Sequence, residues 1–148
     1  MLLNLVLGLS VMLLCLLLQI ILLLAAMRYY QRRERLVNSS GFSANLSATG
    51  GIMLLLVAGN LIQIAIWAAL FLRLGEFGNF PEAFYHSAVN FATLGYGDLV
   101  MSVEHRLLGP LESLNGILMI GLSTSALMNA LRDSMRRTLK TGSPPKDS

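Results

Sequence analysis

One cysteine, Cys15, stands in the whole chain of 148 residues, so no intrachain disulfide can form and cysteine usage says nothing about compartment. Charge is scarce too: Asp, Glu, Lys and Arg make up 13% of the residues against 55% hydrophobic, and the mean hydropathy is +0.65. A soluble globule of this size has too little interior to hide so many apolar side chains, which places the chain in a membrane. The sequence offers no cluster of His, Cys and carboxylates with metal-ligand spacing and no convergent Ser, His and Asp. A resident cofactor and an enzymatic activity are therefore not expected. The formal net charge of +3 does not point to nucleic acid, because the basic residues collect at the ends of apolar runs instead of interleaving with aromatics. The length holds three membrane helices and a re-entrant loop, with no room for a second folded domain.

Leu2 to Met27 is an apolar run broken only by Asn4, Ser10 and Gln19. About 20 residues cross a bilayer, so residues 1–27 are expected as a first transmembrane helix. A cleaved signal peptide is the competing reading, but the run lacks a basic leader and is about twice the usual length. It carries no arginine ladder and is not a voltage sensor of the usual kind. Residues 28–50 hold Arg28, Arg32, Arg33 and Arg35 against Glu34, then a connector rich in Ser, Asn and Gly. They read as a basic cytoplasmic loop, which would leave the Asn-x-Ser matches at Asn38 and Asn45 idle. Residues 52–74 form a second span, with Trp67 and Phe71 expected as interfacial anchors and Asn60 and Gln63 on one face toward a neighbouring helix. Residues 107–131 form a third, and 133–148 a cytoplasmic tail.

Between the second and third spans lies Thr93-Leu94-Gly95-Tyr96-Gly97-Asp98. Two glycines cannot interrupt a helix at membrane depth unless the freed backbone faces protein or water. Glycine adopts positive φ without penalty, so alternating it with ordinary residues lets successive carbonyls point the same way instead of alternating as in a strand. Rings of such oxygens can replace an ion's water shell. The stretch reads as a pore lining; the plainer reading is a polar turn between two helices.

TLGYGD closely resembles the TVGYGD selectivity filter of potassium channels, with Leu94 in place of the usual valine. The likeness extends over roughly residues 50–132 in the order outer helix (52–74), pore helix (80–92), filter (93–98) and inner helix (107–131). It implies an all-α membrane protein with three transmembrane helices, a re-entrant pore helix and a filter loop, assembled as a homotetrameric pore that conducts potassium passively. The carbonyls of Thr93, Leu94, Gly95 and Tyr96, with the Thr93 hydroxyl, would then be the K+ ligands, and Gly97 would complete the filter. Asn79, Pro81 and Glu82 mark the start of the pore helix, whose C-terminus would place about half a negative charge near a dehydrated cation.

Tyr85 and His86 fall where many potassium channels carry a pair of tryptophans, and with Asn90 they are the polar groups able to brace the filter; simple packing is the alternative for His86. Val89 stands where a bacterial potassium channel has a glutamate paired with the filter's aspartate, so inactivation by that pair is not expected. Asp98 fits the outer mouth, where it would raise local cation concentration, and fits equally an exposed loop carboxylate. Gly116 falls where inner helices have a hinge, with Gly121 five residues on; either permits bending or close packing. Ser113, Ile117, Ile120, Thr124 and Met128 recur at helical spacing and align with cavity-facing positions. Glu112 fits two roles, a group behind the filter that tunes conduction or gating, and a structural hydrogen bond near the outer interface.

Nine of the eleven Lys and Arg lie in the first loop and the tail, and only Arg73 and Arg106 lie on the filter side. The positive-inside rule then puts the N-terminus outside and the C-terminus in the cytoplasm, in the cell's inner membrane with lipid as the surrounding partner. Two further functions fit the same residues: a cation channel passing sodium as well as potassium, and a non-conducting channel-like membrane subunit.

Overall fold

The computed structural model describes residues 1–36 and 42–141, with side chains described for 1–29, 49–132 and 135. Four helices follow in order: α1 (Leu2–Leu36), α2 (Phe42–Arg73), α3 (Phe80–Phe91) and α4 (Leu108–Thr141). Leu2–Tyr29, Thr49–Arg73 and Leu108–Arg132 are each long and apolar enough to cross a membrane, at 28, 25 and 25 residues. At about 1.5 Å per residue even the shorter ones outreach a hydrocarbon core of about 30 Å. The chain is an all-helical membrane protein, and no strand occurs among the described residues.

Two expected boundaries move. The basic stretch 28–50 is helical at both ends, since α1 continues to Leu36 and α2 starts at Phe42. In residues 28–36 Arg, Gln, Glu and Leu are good helix formers, and leaving the bilayer does not end a helix that meets no proline or glycine. The connector between them, residues 37–41, lies outside the described residues, and with it the Asn38 match. For the same reason α4 runs through the basic residues after Arg132 as far as Thr141, where 133–148 was expected as a tail; residues 142–148 lie outside the described residues.

α2 and α4 pack against each other, and α1 and α3 each pack against both of them. Met12 and Cys15 of α1, Trp67 and Phe71 of α2 and Leu108 of α4 form one buried cluster. Trp67 and Phe71 are therefore core residues, not interfacial anchors. Hydrocarbon solvent gives apolar helices little reason to associate, so close packing and polar contacts must hold them. One such contact is central: Gln63 Nε2 donates to Gln19 Oε1 at 2.8 Å, and Gln19 Nε2 donates to Ser123 Oγ at 2.9 Å. A single glutamine of α1 thus ties α2 to α4.

At 12 residues, or roughly 18 Å, α3 is too short to span a bilayer. Its start follows from local chemistry: Asn79 is extended at φ −148° and its side chain accepts the Glu82 amide at 3.0 Å, with Pro81 in the first turn. It ends at Phe91, where the chain leaves helical geometry and enters the Thr93–Asp98 stretch.

Candidate functional site

Three residues of that stretch have left-handed backbone: Thr93 at φ 59°, Gly95 at 59° and Gly97 at 74°. Leu94 and Tyr96 between them do not. Alternation of this kind lets successive carbonyls face one side instead of alternating as in a strand. Sequence reasoning anticipated it at the two glycines and missed Thr93, because a β-branched residue gives no signal of positive φ. Among the described residues none donates a hydrogen bond to the carbonyls of Thr93, Leu94, Gly95 or Tyr96. Residues 92–98 are all exposed on the single chain, with Leu94 at 53% and Tyr96 at 65%.

The segment leaving the stretch is held from several sides. Tyr85 of α3 donates its hydroxyl to Asp98 at 2.7 Å, and that bond holds the Asp98 carboxyl below the usual carboxylate range. His86 meets the Leu99 carbonyl at 3.0 Å through Nδ1 and Asn90 Nδ2 at 2.9 Å through Nε2. The Tyr85 and His86 side chains thus reach Asp98 and Leu99, Asn90 bonds His86, and the Asn90 carbonyl accepts the Thr93 amide at 2.9 Å. Ser113 of α4 donates to the Asn90 carbonyl at 2.9 Å, so it braces α3. Farther out, Glu76 receives the Ser102 amide and hydroxyl at 2.6 Å each and lies 2.6 Å from His105 Nδ1. Burial pushes the Glu76 carboxyl up, but these bonds outweigh it and leave it below its ordinary value. Asn4 of α1 donates to the Glu104 carbonyl. The Glu76 anchor lies 26 residues from Ser102, and no sequence signal foretold it.

Behind α3, Ser87 Oγ bonds both the Glu112 carboxyl of α4 and, at 2.8 Å, the Ile64 carbonyl of α2. Glu112 is completely buried within the chain. Gly116 abuts the Phe91 backbone, whereas among the described residues nothing would come within 4 Å of a β-carbon at Gly121. Thr124 is exposed on the same helix as Ile117, Ile120 and Met128. A cavity of about 420 Å³ opens between α3, the exit segment and α4, lined in part by His86, Val89, Asn90, Leu99 and Arg106.

The short α3, the unpaired carbonyl ribbon and the two flanking spans fall within residues 49–133, which match a family described as ion channel. That is more than half of the chain. The chain belongs to this ion channel family. No curated protein and no solved structure matches it. The match starts with the spanning part of α2 and ends just after that of α4; α1 lies outside it. As an ion channel the protein supports passive ion conduction and is a non-enzyme kind of membrane protein.

Proposed function

We propose that the chain is the subunit of a homotetrameric potassium-selective channel in which Thr93 to Gly97 form the filter. One observation carries the reading: a backbone of alternating φ sign whose carbonyls have no partner among the described residues and which lies exposed on the surface of the chain. One such ribbon cannot surround an ion, so it needs symmetric copies, and four agree with the resemblance of TLGYGD to potassium channel filters. Potassium is weakly hydrated and suits neutral carbonyl ligands. The exposed α4 face carrying Ile117, Ile120, Thr124 and Met128 then lines the cavity, Asp98 faces the outer mouth, and the N-terminus is external by the distribution of basic residues.

The test is flux from liposomes holding the purified protein, under a potassium gradient and then a sodium gradient. Flux with potassium alone is expected. Flux with both ions would make the channel non-selective, and none with either would make the chain a non-conducting subunit.

A further inference from the structure

Both ring nitrogens of His86 are engaged, and their partners fix the proton. The Leu99 carbonyl 3.0 Å from Nδ1 can only accept, and the Asn90 amide nitrogen 2.9 Å from Nε2 can only donate. The ring therefore donates from Nδ1 and accepts at Nε2, which only the neutral imidazole protonated on Nδ1 can do. It is 6% exposed and enclosed by Phe71 and Phe77, whose ring centroids lie 5.7 and 4.8 Å away. A second proton would set an N–H against the Asn90 amide and bury a positive charge between these rings.

We propose that His86 is a proton-sensitive positioning residue: neutral, it ties Leu99 at the filter's exit to Asn90 of α3 in the conducting arrangement, and protonation from the Asp98 side, which keeps the Nδ1 donor but turns Nε2 from acceptor to donor, breaks the tie to Asn90 and stops conduction. This rests on the potassium channel reading and adds a regulation to it. The charged and titratable groups around the ring are Asp98 on the exit segment, Glu76 after α2, Arg106 across the shared cavity, Glu82 and Tyr85 on α3, and Glu112 of α4, bonded to the adjacent Ser87. Burial pulls the ring below the ordinary histidine range, and the bond to the Leu99 carbonyl, then Asp98 and Glu76, raise it less. The neutral brace is thus complete at neutral pH and is lost as pH falls through that depressed value. Asp98 and Glu76 are themselves held below the usual carboxylate range, so they stay ionised while the ring begins to titrate.

The experiment is potassium current across a planar bilayer, with pH varied on the Asp98 side only. Current is expected near its maximum at about pH 8; one unit below the ring's midpoint about nine-tenths of the rings are charged, so it falls at least about tenfold. His105→Gln, which removes the chain's other histidine, keeps this profile. His86→Asn places an amide nitrogen where Nδ1 stands and cannot titrate, so its current, normalised to its own alkaline value, is flat. Acid-insensitive current in the unsubstituted chain, or an unchanged profile in His86→Asn, overturns the proposal. Absence of current at alkaline pH counts against the channel reading instead. The ring is then read directly by nitrogen-15 NMR of the histidine-labelled His105→Gln chain. A proton on Nδ1 alone at neutral pH supports the proposal, and a proton on Nε2 there overturns it.

Discussion

Gly116 lies so close to Phe91 that a β-carbon added to it would stand 2.0 Å from the Phe91 carbonyl oxygen and 2.8 Å from the carbonyl carbon. Both atoms are backbone, at the last turn of α3, so nothing flexible can yield. Gly116→Ala must push α4 away from the helix that leads into the filter, at a cost of about 1–3 kcal/mol or more. Gly121→Ala meets nothing among the described residues and is expected to leave stability within about 0.5 kcal/mol. Thermal unfolding in detergent distinguishes the two.

In the sequence these two glycines were equivalent, each readable as a hinge or a contact, because the partner that separates them is 25 residues away in another helix. What was legible came from local chemistry: three apolar runs, the Asn79 cap, the short α3 and the glycine alternation. Gln19 was visible only as a polar break in an apolar run, and its partners Gln63 and Ser123 could not be paired with it without the bundle. Trp67 and Phe71 sit near a span end, where the interface rule applies, but α1 covers them. The charged flanks marked where the spans leave the bilayer, and the helices run on past them because charge does not end a helix.

Gly95 and Gly97 have φ of 59° and 74°, a region that costs an ordinary residue about 1–2 kcal/mol. Gly95→Ala and Gly97→Ala are each expected to abolish potassium flux while membrane insertion, scored by protease accessibility, stays as in the parent. Undiminished flux in either would remove the carbonyl-ribbon argument.

Gln19 holds α2 and α4 through two bonds of 2.8 and 2.9 Å in a completely buried position. Gln19→Leu strands Gln63 and Ser123, and buried polar groups left unpaired cost about 1–3 kcal/mol in general and less inside a bilayer, where measured pairs average about 0.6. A loss of about 1–2 kcal/mol is expected. Combining it with Gln63→Leu costs less than the two single losses added, because the pair shares one bond. Strict additivity in a chemical unfolding cycle would show the contact to be idle.

The Tyr85 hydroxyl lowers the Asp98 carboxyl, and the effect has a sign in pH. A depressed carboxylate supports its contacts above the ordinary carboxylate pKa and loses them as pH falls through the lower folded value. Tyr85→Phe removes the 2.7 Å bond, so Asp98 is expected to titrate at higher pH. The carboxyl carbon-13 shift of Asp98 reads this directly, and an unmoved titration would mean that Tyr85 does not hold it.

Glu112 and Ser87 set one last comparison. Ser87 has a single hydroxyl proton for two acceptors, the Ile64 carbonyl of α2 and the Glu112 carboxyl of α4, so this oxygen is where three helices meet. Glutamine at position 112 brings its own N–H to the Ser87 oxygen and frees the hydroxyl proton for Ile64, which keeps both contacts. Glu112→Gln is therefore expected to stay within about 1 kcal/mol of the parent, while Ser87→Ala leaves the buried Glu112 without its partner and costs about 1–3 kcal/mol. If unfolding follows that order and Glu112→Gln alters conductance, the carboxyl acts on the filter through α3. If the order reverses, the negative charge itself holds the node, and its role is structural.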